Sequence, residues 1–189
     1  MQCVTHAQQP SAIELVTHAA PCSPRPITRE ALLSLAQRPA YGVSLALAGL
    51  LARRWQSLGS EVLPIHGLDA AETRKMLDAH FPGASLLLAH SDLQPADSFV
   101  YAPELDALVG LLVSYRTLDD QDSCWLAHAL ATACLGREPL WQELGLPHAG
   151  LLCDLFHGFF SPLAAHNRRS LDWRTFLYTR LAERTRLSA

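Results

Sequence analysis

The chain has 189 residues, of which 49% are hydrophobic and 17% charged, with a net charge of −3. These totals suit one globular domain with its own core and exclude wholesale disorder. They also exclude a protein-wide positive field of the kind that draws nucleic acid or an anionic membrane.

Charge is uneven along the chain. Glu104, Asp106, Asp119, Asp120 and Asp122 face Arg116 alone, whereas six arginines follow from Arg168 onward against Asp172 and Glu183. Arg168, Arg169, Arg180 and Arg184 are therefore candidates for docking an acidic partner, and a solvated charged face is the bland alternative. Five cysteines (Cys3, Cys22, Cys124, Cys134 and Cys153) show no close spacing, which points to reduced thiols in a cytosol. The first residues have no basic stretch ahead of an apolar core, so no secretory leader is expected. The most apolar run, Val43 to Ala52, is about half the length that spans a bilayer. A cytoplasmic protein is expected, with no membrane or nucleic-acid partner.

Residues 1–27 read as a flexible tail containing Pro10, Pro21, Pro24 and Pro26, with a short helix near Ile13–Thr17. Thr28 is a natural N-cap for a helix that carries Leu32, Leu33 and Leu35 on one side and runs until Pro39. From Val43 to Leu58 the chain is apolar almost all round, which places that helix centrally, and Gly59 is its stop. Asp69 and Glu72 form a capping-box-like start for a helix that breaks at Phe81-Pro82-Gly83. A short apolar piece, Ala84 to Ala89, follows, and the loop-like 91–102 stretch marks a weak internal seam.

Pro103 suits a first helical turn, and Leu105, Leu108, Val109 and Leu112 give an amphipathic stripe. Further helices are expected over Ser123–Leu135, around Trp141 after Pro139, along Leu151, Leu152, Leu155, Phe156 and Phe159, and from an Asp172 cap with Trp173, Phe176, Leu177 and Leu181 inward. No stretch alternates with period two. Residues 28–189 thus read as a single all-α domain, a compact bundle of about seven to eight helices.

Standard nucleotide, protease and hydrolase motifs are missing, and nothing resembles a nucleophile–base pair, so an enzyme is not expected. The Asp119, Asp120, Asp122 cluster lacks the glycine and terminal acid of a calcium loop. Two pairs, Cys124/His128 and Cys153/His157, each place a thiol and an imidazole one helical turn apart. If their helices pack side by side, the four form a site for zinc, iron or copper; otherwise they are ordinary buried or half-buried side chains. His166 and Asn167 lie between helices, where capping is the plain alternative to binding. Trp125, Trp141 and Trp173 read as core anchors.

LWQELGLP at Leu140–Pro147, the FF-P-LAA-N pattern at Phe159–Asn167 and LDWRTFLYTRL at Leu171–Leu181 resemble the NifQ family. In that family LWxDLGL is followed by a helix, then FPxLxxxN, then MxWKKFFYRQLC. WLAHALATACLG at Trp125–Gly136 and ELDALVGLLVSYR at Glu104–Arg116 are also similar, HFPGA at His80–Ala84 more weakly. The similarity runs in order from roughly Leu68 to Leu181.

This resemblance implies a part in nitrogen fixation: non-enzymatic, cytoplasmic handling of molybdenum. The metal would be held on an iron–sulfur cluster and donated during iron–molybdenum cofactor biosynthesis. It implies the nitrogenase cofactor-assembly scaffold and the nitrogenase iron protein as partners. The family's cluster run, of the form Cys-x4-Cys-x2-Cys-x5-Cys, follows the region matching Tyr178, so its ligands would lie beyond Ala189 and none is carried over. Ala182 stands where the family commonly has Cys, and Arg174-Thr175 replaces Lys-Lys. Two other readings stand beside this one: a non-catalytic interaction module docking through its Arg-rich last helix, and a metal protein using the two Cys/His pairs.

Overall fold

A computed structural model describes residues 27–59, 62–88, 103–168 and 170–188. The expected tail up to residue 26, its short helix and the 91–102 seam lie outside the described residues. Among the described residues the architecture is all-α, with nine α-helices, one short 3-10 turn and no strand.

Helix α1 (Arg29–Leu35) starts where the Thr28 hydroxyl accepts from Ala31 N at 3.2 Å. It ends four residues before Pro39, earlier than expected, and Leu35 is left 39% exposed while Leu32 is buried. Ala36 has already left helical geometry, at ψ 133°, and closes the helix through its N–H to the Leu33 carbonyl. Helix α2 (Gly42–Leu58) buries residues on every side, from Val43 and Ser44 through Leu47, Leu50 and Leu51 to Trp55. An all-round apolar helix has to be surrounded, and α1, α5, α6 and α7 all pack on it. Gly59, with φ 89°, stops it.

Helix α3 (Ala70–His80) is capped by Asp69, whose carboxylate accepts from Glu72 N at 2.8 Å, and leads into the 3-10 turn Ala84–Leu88. Helix α4 (Pro103–Ser114) packs along α5 (Gln121–Ala133) and α9 (Trp173–Ser188). Its buried stripe is Leu105, Leu108, Leu111 and Leu112, with Val109 half-buried beside it. Helix α5 starts two residues before the expected Ser123, capped by Asp120, which accepts from Ser123 N at 2.7 Å.

Two single-turn helices, α6 (Leu140–Glu143) and α8 (Ser161–Ala164), flank α7 (Ala149–Phe159). Trp173 at the head of α9 stacks on Phe156 of α7, with ring centroids 3.8 Å apart and planes within 2°. Such a contact adds about 0.5–1.5 kcal/mol beyond area burial, and it docks the last helix on the bundle. Of the three expected aromatic anchors, Trp125 and Trp173 are buried and Trp141 is half-buried.

Candidate functional site

The two Cys/His pairs sit on different helices and face different surroundings. On α5, Cys124 Sγ accepts from Arg116 at 3.1 Å. His128, one turn on, donates from Nδ1 to the His66 carbonyl at 2.8 Å. Burial, above all, holds His128 below its ordinary pKa of 6.5. Its ring lies so close to Gly67 (φ 75°) that a Cβ there would sit 2.7 Å from it. His128 thus braces the segment before α3 against α5.

On α7, Cys153 Sγ accepts from Trp173 Nε1 at 3.4 Å, and His157 Nδ1 donates to the Cys153 carbonyl at 2.8 Å. Cys153 is half-buried and His157 exposed. Both line a cavity of about 250 Å³.

No group of three or more His, Cys, Asp and Glu side chains is arranged to hold a metal ion among the described residues. The described residues therefore do not gather the two pairs into one four-ligand site. A lone iron–sulfur cluster asks for four protein ligands, normally thiolates, and the described cysteines do not fit one. Cys124 is covered by a guanidinium. Cys134 is buried, and that burial pushes its thiol up to about 12.

Of the candidate docking arginines, Arg180 is half-buried and pairs with Glu183, and Arg184 donates to Ser114 Oγ at 3.3 Å across to α4. These three residues line a groove of about 390 Å³ with Leu111, Ser114 and Tyr115. Arg168 is exposed and borders a neighbouring cavity that Arg180 also lines. Arg169 lies outside the described residues. Arg180 thus shares one groove with Arg184 and a neighbouring cavity with Arg168.

A buried polar network joins residues far apart in the chain. His80, 3% exposed, shares a hydrogen bond with Ser44 Oγ at 3.1 Å. Its Nε2 lies 3.3 Å from Asp122 Oδ1, in contact but out of line for a hydrogen bond. Tyr41 donates to Asp122 Oδ2 at 2.8 Å and stacks on His80. Burial and the Asp122 carboxylate push the Tyr41 hydroxyl up to about 12. Serine, histidine and aspartate in this order look like nucleophilic machinery, but Ser44 is only 1% exposed. A substrate cannot reach it, so the network ties α2, α3 and α5 together. Separations of 36 and 42 residues hide it from any local reading of the sequence.

Residues of the sequence words quoted above hold the fold together. Glu143, the acid of LWQELGL, is 6% exposed, accepts from Glu138 N at 2.8 Å and pairs with Arg53 at 3.5 Å. Asn167 clamps Leu171 twice, accepting from its N–H and donating to its carbonyl, each at 2.9 Å. Asp172 caps α9 by accepting from Arg174 N and Thr175 N. Arg174 donates to the carbonyls of Ala133 and Glu138.

Helices braced by buried polar pairs, with one open thiol–imidazole cavity and an arginine-bearing last helix, define a helical scaffold domain. The profile of the NifQ family matches residues 46–189, and the chain belongs to that family. It is 36% identical over 140 residues to Protein NifQ of Azotobacter vinelandii, covering 69% of this chain and 72% of the relative. It is 28% identical over 139 residues to Protein NifQ of Rhodobacter capsulatus, covering 72% and 74%. A NifQ homolog of Sinorhizobium fredii is 31% identical over 117 residues, which span 62% of this chain and 50% of that protein. No solved structure matches the chain. Among the described residues no helix is long and apolar enough to cross a membrane.

Proposed function

We propose that this protein is a non-enzymatic accessory of nitrogen fixation that handles molybdenum during assembly of the nitrogenase iron–molybdenum cofactor, in the cytoplasm. Membership of the NifQ family carries this reading, through a match that spans the described bundle from α2 to α9. Molybdenum is cargo here. The described thiols do not fit an iron–sulfur cluster, so no ligand on this chain is assigned to it. The test is complementation of a diazotroph that lacks its own NifQ, grown on limiting molybdate without fixed nitrogen. Restored growth is expected, and growth no better than with the empty vector would refute the reading.

The dispersed cysteines favour a second reading: a helical module that docks the cofactor-assembly scaffold or the nitrogenase iron protein without carrying metal itself. Arg168, Arg180 and Arg184, which line two neighbouring cavities beside α9, would supply the contact. Capture of either partner, lost on Arg180→Glu with Arg184→Glu, is the result this reading expects. Capture unchanged by the double reversal would remove α9 from it.

A further inference from the structure

We propose that Cys153 and His157 form an open thiolate–imidazole site for a soft or borderline metal ion, such as Cu(I) or Zn(II). It lies in the cavity between α7 and the start of α9. The cavity is lined by Cys153, His157, Asn167, Ser170, Leu171 and Trp173, among others. This site is separate from the molybdenum reading and stands or falls without it.

The histidine is oriented for ligation. Its Nδ1 lies 2.8 Å from the Cys153 carbonyl. A carbonyl oxygen only accepts, so Nδ1 carries the proton, and in the neutral ring the Nε2 lone pair is left bare. Metal-binding histidines are commonly set this way, with the far nitrogen donating to a backbone oxygen that fixes tautomer and ring plane. His157 is exposed, so an ion can approach it.

The thiol is positioned as well. Trp173 Nε1 donates to Cys153 Sγ at 3.4 Å. The indole cannot swing away, because it is stacked at 3.8 Å on the buried Phe156 ring, and it meets His157 edge-on at 6.5 Å. The N–H aimed at sulfur fixes where the Sγ sits on the cavity wall. Across the cavity, Asn167 holds Leu171 by two hydrogen bonds and Ser170 adopts φ 49°, which fixes the opposite wall. Sulfur with imidazole selects soft and borderline ions. Two protein donors leave coordination positions for water or for a donor on another protein, as suits a site that takes up and releases its ion.

Cys124 and His128 have the same spacing, and His128 Nδ1 is likewise fixed on a backbone carbonyl, but this pair is closed to an ion. The Arg116 guanidinium sits on that sulfur and repels a cation, and His128 is half-buried against the Gly67 turn.

The test is anaerobic titration of the reduced full chain with Co(II), a spectroscopic stand-in for zinc, followed by the sulfur-to-cobalt charge-transfer band. The band is expected in the parent and in Cys124→Ser, and lost in Cys153→Ser. His157→Gln is expected to weaken binding by more than the ~10-fold that even an outer-shell change costs. Full retention of the band in Cys153→Ser, or unchanged affinity in His157→Gln, would overturn the proposal. A second measurement needs no variant. Zn(II) is expected to slow alkylation of Cys153, mapped by peptide mass, and to leave Cys124 unaffected; equal Cys153 rates with and without zinc would overturn the site.

Discussion

Gly49 and Gly145 let helix α2 meet the turn after α6 backbone to backbone. A Cβ at Gly49 would sit 2.2 Å from the Leu144 carbonyl oxygen, and one at Gly145, which has φ 61°, would sit 2.8 Å from Gly49 Cα. Backbone has little room to yield, so Gly49→Ala is expected to cost about 1–3 kcal/mol or more by overpacking. Gly110→Ala on the exposed face of α4, where a new Cβ meets nothing within 4 Å, is expected to stabilise by up to about 1 kcal/mol. Urea denaturation of the two variants checks the opposite signs.

Glu143 is predicted to act as a brace. Alanine at this position would orphan the Glu138 N–H and leave Arg53 without the carboxylate 3.5 Å away. Arg53 is 47% exposed and recovers water, so the ion pair itself adds little. Most of the expected loss of about 1–3 kcal/mol comes from the unsatisfied N–H. Glu143→Gln retains an acceptor and is expected to fall between the parent and Glu143→Ala in the same denaturation experiment.

Stability is expected to depend on pH through His80 and His128. Burial holds both below the ordinary 6.5 in the folded state, although the nearby Asp122 partly offsets this for His80. As pH falls below 6.5 the unfolded chain takes up protons that the folded chain refuses, so stability declines toward acid. Above that pH both states are neutral and these two rings add no slope. Thermal unfolding followed from roughly pH 7.5 to 5.5 should show the melting temperature falling through this window. Ring signals of His80 and His128 in NMR should titrate below 6.5.

Trp173 separates packing from positioning. Trp173→Ala is expected to cost about 3–5 kcal/mol, because the ring fills the space beside Phe156 and Phe176. Trp173→Phe keeps a stacking ring but loses the N–H aimed at Cys153. It is expected to retain most of the stability while changing the rate at which Cys153 is alkylated. An unchanged alkylation rate would show that the indole N–H does not act on the thiol.

Much of this fold is legible in the sequence because its signals are local. Thr28, Asp69 and Asp172 cap helices at the positions their hydroxyl or carboxylate chemistry indicates, Gly59 stops α2, and the apolar run of α2 lies at the centre of the bundle. Where the reading missed, long-range geometry decided. The Ser44–His80–Asp122 network and the His128–His66 brace join elements whose approach no local period encodes. The Cys153/His157 pair was visible as an i, i+4 spacing, but its separation from Cys124/His128 was not, because helix spacing says nothing of which helices become neighbours. Cavity and tautomer needed coordinates as well.

Supply of molybdenum to cofactor assembly is the function proposed for this NifQ-family chain. Nitrogenase purified from a strain lacking its own NifQ, grown on limiting molybdate with and without this chain, measures that supply as molybdenum per nitrogenase. A higher molybdenum content with the chain present is the predicted result. Equal content, with the chain folded and abundant in the same cells, would contradict it.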